Sequence, residues 1–156
     1  MPAPLPRFCS RVATTLRTTN KQEGKTVKLN PMDLGVCGVN QTFYAGTLKF
    51  DTEGAAAGVM LCELPKNTIV VRGIAVVSEA FNAETTNTIT VGKKAAANEV
   101  IGSSVITAGT PGAYKSDVFV DMGEETAVYA KYEQSGNAAT AGSVDIFLEV
   151  VAAPQA

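Results

Sequence analysis

The sequence contains no histidine and no tryptophan, and only three of its 156 residues are cysteine. Without histidine the chain cannot build a Ser-His-Asp or Cys-His nucleophilic site, the usual zinc sites or the most common general base of enzymes. Lysine and carboxylate bases remain possible in principle, but the carboxylates fall in turns or singly on predicted strands. We therefore expect no catalytic residue, no bound metal, no cofactor and no enzymatic activity.

The cysteines and the apolar segments also exclude several classes of protein. The number of cysteines is odd, and none of the three, Cys9, Cys37 and Cys62, forms a C-x-x-C pair with another. This pattern favours free thiols in a reducing cytoplasm over a disulfide framework. No apolar run approaches the roughly 18 residues of a membrane span. The first residues lack the continuous apolar segment of a secretory signal. We expect a protein without a membrane segment, made in the cytoplasm.

Charge is scarce and unevenly distributed. Charged residues make up 18% of the chain, against about 25% in an average globular protein. Residues 1–30 have a net charge of +5, and residues 31–156 have a net charge of −7. A basic arm can bind an acidic protein surface, bind nucleic acid or remain an unpartnered tail; the first is favoured, and nucleic acid is unlikely because no recognised motif accompanies the charge. The candidate contact residues are the arm's six cations, Arg7, Arg11, Arg17, Lys21, Lys25 and Lys28.

The hydrophobic pattern divides the chain into an arm and a β domain. Residues 1–40 are predicted to form an extended arm and a connector, because prolines open the segment and polar residues follow. Residues 41–156 alternate short apolar segments with turn residues, which predicts an all-β sandwich or barrel. Eight strands favour an antiparallel jelly roll, and an immunoglobulin-like sandwich is the second choice because tryptophan is absent. The predicted strands are 41–50, 55–64, 68–81, 88–92, 99–107, 114–122, 126–134 and 143–152.

The predicted strand 68–81 is apolar on both faces. Because side chains alternate along a strand, one face would carry Ile69, Val71, Gly73, Ala75 and Val77, and the other would carry Val70, Arg72, Ile74 and Val76. We assign the first face to the core. The second is too apolar for a face in water, so it is predicted to be covered by another segment or by a second subunit. Val70, Arg72, Ile74 and Val76 are therefore candidate subunit-interface residues.

Arg72 is open to two explanations at this stage. In a subunit interface, its guanidinium would pair with a carboxylate of the partner. At the margin of the sheet, its head would lie in water while its stem covers Val70 and Ile74.

The segment "CELPKNTIVVRGIAVVSEAFNAETTNTITVGKK" (62–94) resembles the head decoration, or cement, proteins of tailed bacteriophages. The shared pattern is a Leu-Pro turn, a long Val/Ile strand, an aromatic-Asn turn and a short strand ending in Val-Gly. The resemblance implies a jelly-roll protein that binds the outside of the virion shell as a homo-oligomer, dimer or trimer, with the major capsid protein as its partner. The alternative is a fibre or tail β-module for receptor or carbohydrate binding, although only 6% of the residues are aromatic.

Overall fold

The computed structural model describes residues 27–28, 40–95, 97–124 and 126–152. Within these residues the fold is all β, without a helix. The strands are β1 (Val27–Lys28), β2 (Gln41–Lys49), β3 (Val59–Glu63), β4 (Thr68–Glu79), β5 (Thr86–Gly92), β6 (Gly112–Asp121), β7 (Ala127–Ser135) and β8 (Ser143–Ala152).

The strands form two sheets. One sheet has the order β2-β8-β4-β6, and the other has the order β1-β3-β7-β5. The seven strands from β2 to β8 pair antiparallel, and the two-residue β1 pairs parallel with the edge of β3. The predicted all-β class with two antiparallel layers is confirmed. The division into an arm of residues 1–40 and a domain of residues 41–156 stays a prediction, since most of the arm lies outside the described residues.

Seven of the eight predicted strands are present, with ends that shift by a few residues. The predicted strand 99–107 is wrong, because this segment makes only an isolated antiparallel bridge between Val91 and Ile101. Val100 and Ile101 are adjacent in sequence and both fully buried. The apolar residues of this segment therefore line the core from a loop.

The core lies between the two sheets. Along β8 every second side chain points inward and is buried, and the same alternation holds for Val128, Ala130 and Tyr132 of β7. Phe81 packs against Tyr132 with ring centroids 4.7 Å apart, and the Tyr132 hydroxyl donates a hydrogen bond to the Asn87 side chain. Burying one Val, Leu or Ile side chain contributes about 1.5–3 kcal/mol to the stability of the fold. The alternating apolar side chains therefore stabilise the packing of the two sheets against each other.

The turn before β4 explains where that strand begins. Asn67 has a φ of 57°, a left-handed conformation that asparagine tolerates better than most residues. Its backbone N–H donates to the carbonyl of Gly123, and the Thr68 hydroxyl donates to the carbonyl of Pro65 at 2.6 Å. The Leu-Pro-Lys-Asn sequence therefore fixes the entry of the chain into β4.

A β-bulge between Val70 and Arg72 changes which side chains of β4 face the core. Thr68 and Val70 point inward before the bulge, and Gly73, Ala75 and Val77 point inward after it. The predicted alternation is therefore wrong at the start of the strand: Val70 is fully buried and Ile69 is only half-buried. Val70 cannot be a subunit-interface residue, because the extra residue of the bulge turns it into the core.

Candidate interaction surface

The sheet β2-β8-β4-β6 presents an outer face that is partly apolar. The outer face is the side of this sheet that points away from the core. Three apolar side chains form a row across it: Tyr44 on β2, Phe147 on β8 and Ile74 on β4. The rings of Tyr44 and Phe147 meet edge to face with centroids 5.4 Å apart. These side chains and Val76 are half-buried, because their neighbours on adjacent strands cover them. Ile74 and Val76 thus lie where the sequence placed them, and their role in a subunit interface stays a prediction.

A row of charged side chains runs beside the apolar row. Arg72 lies between two carboxylates of its own chain. Its Nε donates a hydrogen bond to Asp117 at 2.5 Å, and its Nη1 donates one to Glu149 at 2.7 Å. Asn40 donates to the same Glu149, and Lys115 lies 3.2 Å from Asp117. The row therefore spans three neighbouring strands with alternating charge.

The charged row shifts the pKa values of Arg72 and Asp117. The hydrogen bond to Asp117 raises the pKa of Arg72, and the nearby charges of Asp117 and Glu149 act in the same direction. The hydrogen bonds from Arg72 and from Lys115 lower the pKa of Asp117. Both groups are held in their charged forms, as expected when opposite charges meet at hydrogen-bond distance.

The structure corrects one explanation of Arg72 drawn from the sequence and leaves the other a prediction. β4 lies between β8 and β6, so Arg72 is inside the sheet and not at its margin. Its guanidinium is paired with Asp117 and Glu149 of the same chain, and a further pairing with a carboxylate of a partner stays a prediction. The sequence could not locate these partners because they come from strands 45 and 77 residues further along.

The edge strand β6 carries a functional candidate that the sequence analysis missed. Phe119 is 77% exposed and stands on the outward side of β6 with Lys115, Asp117 and Asp121. The alternation of charged residues around it was a usable signal, because it places Phe119 on the polar side of the strand. A shallow depression lies nearby, lined by Arg72, Ile74, Ala113, Tyr114 and Lys115.

The predicted basic contact residues lie mostly outside the described part of the chain. Arg7, Arg11, Arg17, Lys21 and Lys25 fall there, and Lys28 is described only as a backbone position of β1. Their role stays a prediction.

The cysteine thiol in the described part of the chain is buried. Cys62 is a buried free thiol, and burial, with a smaller contribution from the charge of Glu63, raises its pKa to about 12. A thiol with such a pKa is a poor nucleophile at neutral pH. Over the described ranges, no three His, Cys, Asp or Glu side chains are grouped to hold a metal ion. No helix in that part of the chain is long and apolar enough to cross a membrane.

Comparison with known proteins gives a structural likeness and no sequence family. No family model matches the chain, and no curated protein matches it. Among solved structures, the chain is similar to one from the capsid asymmetric unit of cyanophage Pam1, with a TM-score of 0.57 and 20% sequence identity. The likeness covers 88% of this chain and 100% of the cyanophage chain. At this identity the likeness establishes a shared fold.

Proposed function

We propose that the protein is a structural component of a tailed-phage virion, a cement protein that binds the outside of the capsid and holds neighbouring major capsid subunits together. The observation that carries this proposal is the fold likeness to a chain from a cyanophage capsid asymmetric unit, which extends over the whole of that chain. The resemblance of residues 62–94 to head decoration proteins supports the same role independently. The role requires no cofactor and no catalysis.

The jelly-roll topology is part of the proposal. In a jelly roll, a long antiparallel hairpin of four strand pairs folds over into two sheets. Here β2 pairs with β8, β3 with β7 and β4 with β6, so the pairs are nested along the chain. The fourth pair would be β5 with the segment 99–107, and the bridge between Val91 and Ile101 lies at that position. On this account, residues 99–107 are a jelly-roll strand reduced to a single bridge.

The mechanism of cementing follows from charge and repetition. Residues 1–30 carry a net charge of +5, and this segment is suited to bind carboxylate-rich surfaces of adjacent shell subunits. A single solvent-exposed ion pair contributes little alone. When one oligomer engages several subunits of a symmetric shell, its contacts act together and the combined affinity is much higher.

A binding assay with phage shells tests the proposal. Shells assembled without this protein should bind the full-length chain to saturation and then withstand a higher temperature before they rupture. A β-sandwich protein from an unrelated virion serves as the control for non-specific binding. If the full-length chain does not bind the shells, or binds them only at their interior, the cement function is wrong.

A further inference from the structure

Within the described part of the chain, the strand β6 has a backbone partner on one edge only. It lies at the end of the sheet β2-β8-β4-β6 and pairs with β4 on one side. On its other side, no backbone–backbone hydrogen bond to β6 occurs within the described ranges. A ten-residue strand with a free edge presents a row of N–H and C=O groups that can pair with another strand.

The inner side of β6 is also incompletely covered. Val118 and Val120 point toward the core but remain half-buried. The reason is that the segment 99–107, on the opposite layer, is a loop with one bridge and does not extend the other sheet beneath β6. Both the backbone edge and the apolar side chains of β6 are therefore open at the same margin of the sandwich.

The outward side chains of β6 are complementary to themselves. In sequence order they are Ala113, Lys115, Asp117, Phe119 and Asp121. When a strand pairs with a copy of itself around a two-fold axis, the axis passes through one residue, which then faces its own copy. Only two such registers overlap nearly the full length of β6: one centred on Ser116 and one centred on Asp117.

Charge decides between the two registers. Centring on Asp117 places that carboxylate directly opposite its own copy, which is unfavourable. Centring on Ser116 places Lys115 opposite Asp117 on both sides of the axis and places Phe119 over Ala113. On the inner side it brings Tyr114 against Val118. The register centred on Ser116 therefore pairs opposite charges. It also covers Phe119, the most exposed large hydrophobic side chain of the described residues.

We infer that two copies of this protein associate through antiparallel pairing of their β6 strands, in the register centred on Ser116. The two four-stranded sheets then become one continuous sheet across the dimer. The charged row from Glu149 through Arg72 to Asp117 continues into the partner through Lys115. This inference is independent of the proposed capsid role, because it concerns the isolated protein in solution.

A disulfide trap tests the register. Opposite residues of antiparallel strands have Cα atoms about 4.5–5.5 Å apart, which a disulfide can span. We expect Ser116→Cys, in a full-length background with Cys9→Ser and Cys37→Ser, to form a covalent dimer under mild oxidation. Ala113→Cys is the matched control: Ala113 is exposed, but in this register it faces Phe119 of the partner subunit and lies about 20 Å from its own copy, too far for a bond. Equal or faster cross-linking of the control would overturn the register.

Sedimentation of the full-length protein tests the association itself. The wild type should sediment as a dimer, and Lys115→Asp should shift it toward monomer by at least tenfold in dissociation constant, because it opposes like charges on both sides of the axis. Lys49→Asp makes the same charge change on the other edge strand, β2, and should leave the mass unchanged. A monomer at all concentrations, a trimer, or equal effects of the two substitutions would overturn the inference.

Discussion

Arg72 stands in the middle of an apolar strand, and the carboxylates on either side of it explain how the strand accommodates a charge. Its side chain is 38% exposed, while the Glu149 side chain is only 14% exposed. Removing the guanidinium would leave Glu149 partly buried without a cation, which costs more than the loss of an exposed pair. The arginine therefore acts inside the monomer, by stabilising the junction of β6, β4 and β8.

The titration of Asp117 gives this account a pH dependence. Because the folded-state pKa of Asp117 is lowered, its pairing with Arg72 stabilises the fold above the unfolded pKa of about 3.9, and the stabilisation is lost as the pH falls through the folded value. Arg72→Gln should lower the free energy of unfolding at pH 7, and the difference from wild type should shrink below about pH 4.

Urea unfolding at a series of pH values measures this difference. Lys66→Gln is the matched control, since its pair with Glu124 is exposed on both sides and should contribute almost nothing. If the two variants lose the same stability, or if the Arg72→Gln difference persists unchanged at low pH, the role of Arg72 is wrong.

Among the elements, β4 and the segment 99–107 show what the sequence can and cannot predict. Alternation of apolar and polar residues located β6, β7 and β8, because each has one face on the core and one face outside. Gly73 lies beside the bulge, and an isolated glycine in a strand can mark one, but it does not show at which residue the inward face of β4 switches. The segment 99–107 has the composition of a strand. Its apolar residues are buried because this loop packs beneath β4, where Val100 and Ile101 lie next to Gly73.

The candidate surface was predictable to a similar extent. The sequence placed Ile74 and Val76 together on the face opposite the core, and the structure keeps them there. It did not provide the carboxylate partners of Arg72, because strand order decides which distant residues become neighbours. Alternation along a strand is local, whereas pairing between strands depends on the whole topology.

Gly73 is the position where β4 and the loop meet. A Cβ added there would lie 2.6 Å from a side-chain carbon of Ile101 and 3.0 Å from one of Val100. We expect Gly73→Ala to destabilise the fold by about 1–3 kcal/mol, as overpacking of a core does. Thermal or chemical unfolding provides the measurement.

Gly102 is the matched control for this prediction. It lies in the same segment as Ile101, and an added Cβ would meet no atom within 4 Å. Gly102→Ala should therefore change stability by no more than about 0.5 kcal/mol. A neutral Gly73→Ala variant would contradict the packing of residues 100–101 beneath β4.

For the whole molecule, the important contrast is between a basic segment, residues 1–30, and the acidic remainder of the chain, residues 31–156, which includes the β sandwich. The two have net charges of opposite sign, −7 for residues 31–156 and +5 for residues 1–30. Under the proposed cement role, the sandwich and the basic segment would supply different parts of shell binding. In that proposal the sandwich is the folded body, and residues 1–26 would span up to about 90 Å if fully extended.

The charge of the N-terminal segment should therefore control occupancy of the shell. Replacing Arg7, Arg11 and Arg17 by Gln should weaken binding to shells by at least tenfold and reduce its sensitivity to salt, because fewer ionic contacts form. Replacing the same number of exposed domain cations, Lys49, Lys66 and Lys94, should have a smaller effect. Equal losses from both triple variants would remove the segment from the binding mechanism.

The most direct test of the capsid role is the quantity of this protein in purified virions. Quantitative mass spectrometry of intact particles measures its copy number relative to the major shell protein. A cement protein should be present in a fixed ratio comparable to the shell protein, and should be accessible to proteases or antibodies from outside. A copy number limited to the few subunits of a tail or fibre, or complete absence from the particle, would contradict the account.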